Sequence, residues 1–112
     1  MIYSLDKLNE MADGDEEFIN SVIAVFLDEV PTDLELLEQA IEKKDYGNVY
    51  QLAHKIKPNV DLLGMEQTRA NALEIETLGK KEGSGDAIEK LFPLLKNDIH
   101  QVVSELKKDF NL

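Results

Sequence analysis

A chain of 112 residues has room for one hydrophobic core, read here as a single domain over 1–112, and 43% apolar with 31% charged residues exclude wholesale disorder. A formal charge of −11 excludes nucleic acid as a partner and disfavours anionic membranes, because both depend on Lys and Arg meeting phosphate. The absence of cysteine excludes a disulfide framework and thiolate metal sites.

No apolar run approaches the roughly 20 residues that span a bilayer. The start, MIYSLDKLNEMADGDEEF, lacks the basic stretch and apolar run of a signal peptide. Together these features point to the cytoplasm. The acidic surplus reads as solvated helix faces, or as attraction for partners with basic patches.

Apolar residues recur at helical spacing between breaks at 12–15, 45–47, 62–64 and 81–86. A short first helix is expected over Leu5–Met11, with Ser4 as its N-cap. The second begins after Asp15, with Glu16 and Glu17 at the positive end of the dipole. Its stripe is Phe18, Ile19, Val22, Ile23, Phe26 and Val30. Pro31 interrupts, yet at about 100° per residue Leu34, Leu37 and Ile41 continue in phase. We therefore expect one long kinked helix over 15–43.

A third helix is expected over about 46–63, capped by Asp45 and stopped by Gly64, since glycine accepts the left-handed conformation past a helix end. A fourth covers roughly 66–80, with Thr68, Ala72 and Ile75 on one face and Leu73 and Leu78 flanking it. The fifth, about 86–109, has Ser84 or Asp86 as cap, a long stripe from Ile88 to Phe110, and Pro93 as a bend. Nothing alternates with period two over a useful length. The fold expected is all-α: an antiparallel four-helix bundle with a short extra N-terminal helix capping one end.

The third helix has two faces. Val49, Leu52, Ala53, Ile56, Val60 and Leu63 cluster toward the core. Gly47, Tyr50, His54, Lys57, Pro58 and Asp61 fall on another face, centred about 130° away. His54 is therefore expected in solvent, with Lys57 three residues on and able to reach the space beside the imidazole. A neutral imidazole is a competent nucleophile at cellular pH, and a phosphoryl group placed on it would bring negative charge that a lysine stabilises. Pro58 has no N–H to offer the His54 carbonyl, so a kink or looser turn is expected there. No second titratable group that could serve as a base is legible near His54.

The stretch HKIKPNVDLLGM resembles the signature of histidine-containing phosphotransfer (HPt) domains: a His, an apolar residue at +2, a Lys at +3, small residues, and a Gly at +10. These positions fall on His54, Ile56, Lys57 and Gly64. The approach, FLDEVPTDLELLEQAIEKKDYGNVYQLAH over 26–54, is similar to that family's as well. The resemblance implies a four-helix bundle that takes a phosphoryl group on His54, with Lys57 as its electrostatic partner. It implies exchange with an aspartate on a response-regulator receiver domain, alone or in a hybrid histidine kinase. The chain itself would then be a monomeric carrier and not an enzyme, without a cofactor, the Mg²⁺ residing on the receiver. Tyr50, Pro58 and Asp61 would border the docking face, together with the adjoining face of the second helix. Pro58 and Asn59 depart from the small residues common in the family, which bears on partner choice.

Rival readings have less to stand on. A di-iron bundle needs Glu-x-x-His pairs, which are absent, and His100 falls off its helix's apolar stripe as a surface residue. An acyl-carrier protein would need a serine where Leu62 follows Asp61. A phosphate loop or a serine nucleophile elbow is also missing. A helical interaction module without phosphotransfer is the alternative that remains.

Overall fold

The computed structural model describes residues 2–82 and 85–112. It contains five helices: α1 (Asp6–Ala12), α2 (Glu16–Glu42), α3 (Tyr46–Leu62), α4 (Glu66–Lys80) and α5 (Gly85–Asp109). Three-residue connections join α2 to α3 and α3 to α4, so these neighbours run antiparallel. Each long helix packs on its sequence neighbour, and α2 closes the ring against α5. The molecule is elongated, 44 × 22 × 20 Å, along the direction of α2.

Local chemistry sets most helix ends. The Asp15 carboxylate accepts from the Phe18 amide and Asp45 from the Asn48 amide, each taking up a donor that the first turn leaves unpaired. α3 ends in a tight double bond pattern: Gly64 N–H donates to Asp61 O at 3.0 Å and Met65 N–H to Val60 O at 3.2 Å. Gly64 sits at φ +66, which only glycine adopts without strain. Ser4 is not the N-cap of α1, which begins one residue later behind Leu5; its hydroxyl instead accepts from the Asp6 amide at 3.2 Å. Asp86 lies inside the first turn of α5 and so is not its cap, and Ser84 falls outside the described residues.

The expected stripes form the core. Ile23, Val30 and Leu37 of α2, Val49, Ile56 and Val60 of α3, Ala72 and Ile75 of α4, and Ile88, Leu95, Ile99 and Leu106 of α5 are all sealed from water. α2 passes through Pro31, and α3 through Pro58, each as a single helix. Two positions break the expected pattern on α2. Phe18 is exposed, while the next residue, Ile19, is partly buried against the core near Leu5 and Phe110. Asp33 is buried within the apolar stripe, its Oδ1 3.1 Å from Lys55 Nζ on α3.

The N-terminal segment binds across one end of the bundle. Ser4 N–H donates to Leu63 O at 2.7 Å, Ile2 N–H to the Glu105 carboxylate at 3.1 Å, and the Tyr3 hydroxyl to Asp109 at 2.6 Å. Leu8 of α1 is fully buried, so the short helix adds to the core as well as covering it.

Candidate functional site

Burial of Val49, Ala53, Ile56 and Val60 fixes the rotation of α3. His54, one step past Ala53, is turned outward, and its side chain is 61% exposed. Lys57 is only 24% exposed, because its stem lies back along the protein surface toward α4.

Glu76 of α4 meets both side chains. Its Oε2 lies 3.3 Å from His54 Nδ1 and its Oε1 2.9 Å from Lys57 Nζ. The lysine approaches Oε1 off the line of a well-aimed hydrogen bond, so that contact is mainly charge attraction. Burial pushes the Glu76 carboxyl up, but Lys57 first and His54 second outweigh it and hold the group below its ordinary 4.5. Glu76 is thus an anion at neutral pH and can only accept. The His54 contact is likewise a charge contact and not a well-formed hydrogen bond; an anion facing Nδ1 favours the imidazole proton there, which leaves Nε2 with the free lone pair.

Glu76 corrects the expectation that no second titratable group that could serve as a base stands near His54. The signal was present in the chain: a helical hairpin turning at Gly64 sets residues equally distant from the turn side by side. His54 lies ten residues before Gly64 and Glu76 twelve after it. Helical periodicity within α3 alone could not reveal a neighbour on another helix.

The remaining residues expected at the site surround this pair. The Tyr50 ring stacks beside the imidazole, with centroids 6.0 Å apart and planes at 22°. Lys80 Nζ stands 5.9 Å from the Tyr50 ring centre, at the outer reach of a cation–π contact. Pro58 is exposed, and the Asn59 amide beside it donates to Lys55 O at 3.2 Å. Asp61 is turned to a separate cluster, 2.8 Å from Lys7 Nζ on α1 and 3.6 Å from Arg69 Nε on α4. Gly64 closes the helix. The expected neighbour α2 approaches α3 through Asp33, paired with Lys55 of α3, but the groups touching His54, Lys57 and Tyr50 from another helix come from α4. Among the described residues, no three His, Asp or Glu side chains gather as a metal site.

A small helical bundle with an outward histidine, its ring held by a carboxylate and flanked by lysines, has the form of a carrier of anionic groups. Residues 21–105 match the Hpt domain family, and the protein belongs to it. The chain is similar to "Multistep phosphorelay regulator 1" of Schizosaccharomyces pombe (strain 972 / ATCC 24843), with 32% identity over 87 residues, 77% of this chain and 29% of that protein. It therefore spans less than a third of that relative's length. No solved structure gives a significant match. The chain is thus an Hpt domain, of the phosphorelay-carrier class. Among the described residues, no helix is long and apolar enough to cross a membrane.

Proposed function

We propose that His54 is the residue that carries the phosphoryl group, exchanging it with an aspartate of a response-regulator receiver domain, free or within a hybrid histidine kinase. The observation that supports it best is the Glu76 carboxylate on Nδ1, which directs the Nε2 lone pair outward at an exposed position. In the inward step that lone pair attacks phosphorus. The N–P bond forms as the P–O bond breaks, and its electron pair returns to the receiver's aspartate. The ring keeps its Nδ1 proton and gains positive charge, which Glu76 stabilises. In the outward step an aspartate oxygen attacks phosphorus and the N–P pair returns to Nε2.

Lys57, held at 2.9 Å by Glu76, is close enough to turn its ammonium toward phosphoryl oxygens as they arrive. Mg²⁺ and the acceptor aspartate belong to the receiver. Tyr50, Pro58 and Asp61 are the residues we assign to the docking face, a reading supported most directly by the Tyr50 ring stacked on the imidazole. We read residues 1–112 as one domain that acts as a monomer in the cytoplasm, where receivers work.

Phosphorylated receiver domains, and separately phosphoramidate as a small donor, test the reading against wild type and His54→Gln. The expected result is acid-labile, base-stable label on the wild type and none on the variant. Label retained by His54→Gln would overturn it. So would a folded wild-type protein that takes no label from either source, which leaves the interaction module.

A further inference from the structure

We propose that Gly79 is a positioning residue for phosphoryl transfer: by lacking a side chain it sets the α3–α4 separation that brings Glu76 to His54. The inference rests on the reading of His54 as acceptor.

Gly79 is buried where α4 crosses the first turns of α3. A Cβ there would lie 3.0 Å from Tyr50 N, 3.1 Å from Val49 Cγ1 and 3.3 Å from Tyr46 O. Two of those three atoms are backbone and cannot rotate away. All three contacts are tighter than a side-chain carbon ordinarily makes, so a methyl group here requires the helices to give by a few tenths of an ångström. Nothing local calls for glycine. Gly79 has no left-handed φ, and within a helix glycine costs about 1 kcal/mol relative to alanine. Its value lies in close approach, which the fully buried Ala53 and Ala72 extend along the same pair of helices.

The reaction feels this spacing because Glu76 lies three residues from Gly79 on the same rigid helix. Its contact with His54 Nδ1 is 3.3 Å, just past the usual range of an N–H···O hydrogen bond and held as a charge contact. A few tenths of an ångström more weakens it further and removes what remains of its hold on the ring. The Lys57 contact, at 2.9 Å and on a long flexible stem, tolerates the same shift. Loss of the Gly79 contact therefore acts on the imidazole selectively, releasing it to the Nε2–H tautomer that a free neutral imidazole favours. In that tautomer the outward nitrogen has no lone pair to offer.

Long-range ¹H–¹⁵N correlation spectra of the full chain report which nitrogen of His54 holds the proton, and phosphoramidate labelling reports the rate. In wild type we expect the Nδ1–H tautomer. Gly79→Ala is expected to shift His54 toward Nε2–H and to slow labelling roughly tenfold. Thr68→Val is the control: it breaks the 2.9 Å bond from Thr68 to Asp98 on the side of α4 facing α5, and lowers stability while keeping tautomer and rate. Should Gly79→Ala fail to fold, Glu76→Asp withdraws the carboxylate by one methylene at unchanged helix spacing; it is expected to shift the tautomer and slow labelling in the same way, and wild-type behaviour would overturn the inference.

Wild-type tautomer and rate in a Gly79→Ala protein would overturn the inference. Label lost in His54→Gln with Gly79→Ala like wild type sinks this inference alone; label retained in His54→Gln sinks the acceptor reading first.

Discussion

Glu76 holds two side chains with one carboxylate, so its replacements separate charge from contact. Glu76→Ala is expected to slow labelling of His54 by about 10²-fold, and Glu76→Gln by less, since the amide oxygen still accepts from Nδ1. Phosphoramidate kinetics check the order. The same group adds a pH dependence to stability. Its folded carboxyl lies below the ordinary 4.5, so as pH falls the unfolded chain takes up the proton first. The contribution is full above about pH 4.5 and is lost as pH drops through the lower folded value. Urea unfolding at pH 7 and pH 4 should show a shallower acid loss in Glu76→Gln than in wild type. At this scale His54 and Lys57 were legible because their spacing on one helix is a local fact. Glu76 was not, because it enters from a second helix, and buried Asp33 was not, because its partner Lys55 lies across a helix pair.

Elements end where side chains can take up unpaired backbone groups. Asp15→Ala should cost about 1 kcal/mol by removing the acceptor of the Phe18 amide. Gly64→Ala should cost about 1–2 kcal/mol, because φ +66 strains any side chain and the new Cβ would lie 3.0 Å from the Ser4 Cβ. Chemical denaturation of both variants checks the ranking. The ends of α3 and α4 were readable to within a residue, since Asp45 and Gly64 act through their own local chemistry. The start of α1 was also met to within a residue, but its cap was not, because Ser4 is placed by Leu63 and Gly64, sixty residues away, and does not cap the helix. Prolines 31 and 58 are tolerated within helices whose inner faces are sealed against neighbours on either side of them. Tertiary burial outweighs one lost backbone bond.

The bundle as a whole follows from four long apolar stripes, which is why its class could be read from periodicity. The closure of α2 on α5 and the strap of residues 2–4 are long-range and left no periodic trace. The strap makes alkaline stability a property of the entire molecule. Burial, then the bond to Asp109, pushes the Tyr3 hydroxyl from 10.0 up to about 12. Above pH 10 the unfolded chain loses this proton first, so the stability Tyr3 provides is full below pH 10 and is lost as pH rises through about 12. Tyr3→Phe should therefore be less sensitive than wild type between pH 9 and pH 11, as urea unfolding would show.

Tyr3 bound to Asp109 also means that the polypeptide enters and leaves the bundle at one pole. His54 stands about 12 Å up α3 from that pole, on an open flank. The domain is built like a flag on a single mast: it can be spliced into a longer chain, or hung from one, through a single point of attachment. Its histidine would then sweep a volume of solution set by the tether alone, raising the local concentration of carrier around any receiver held on the same chain.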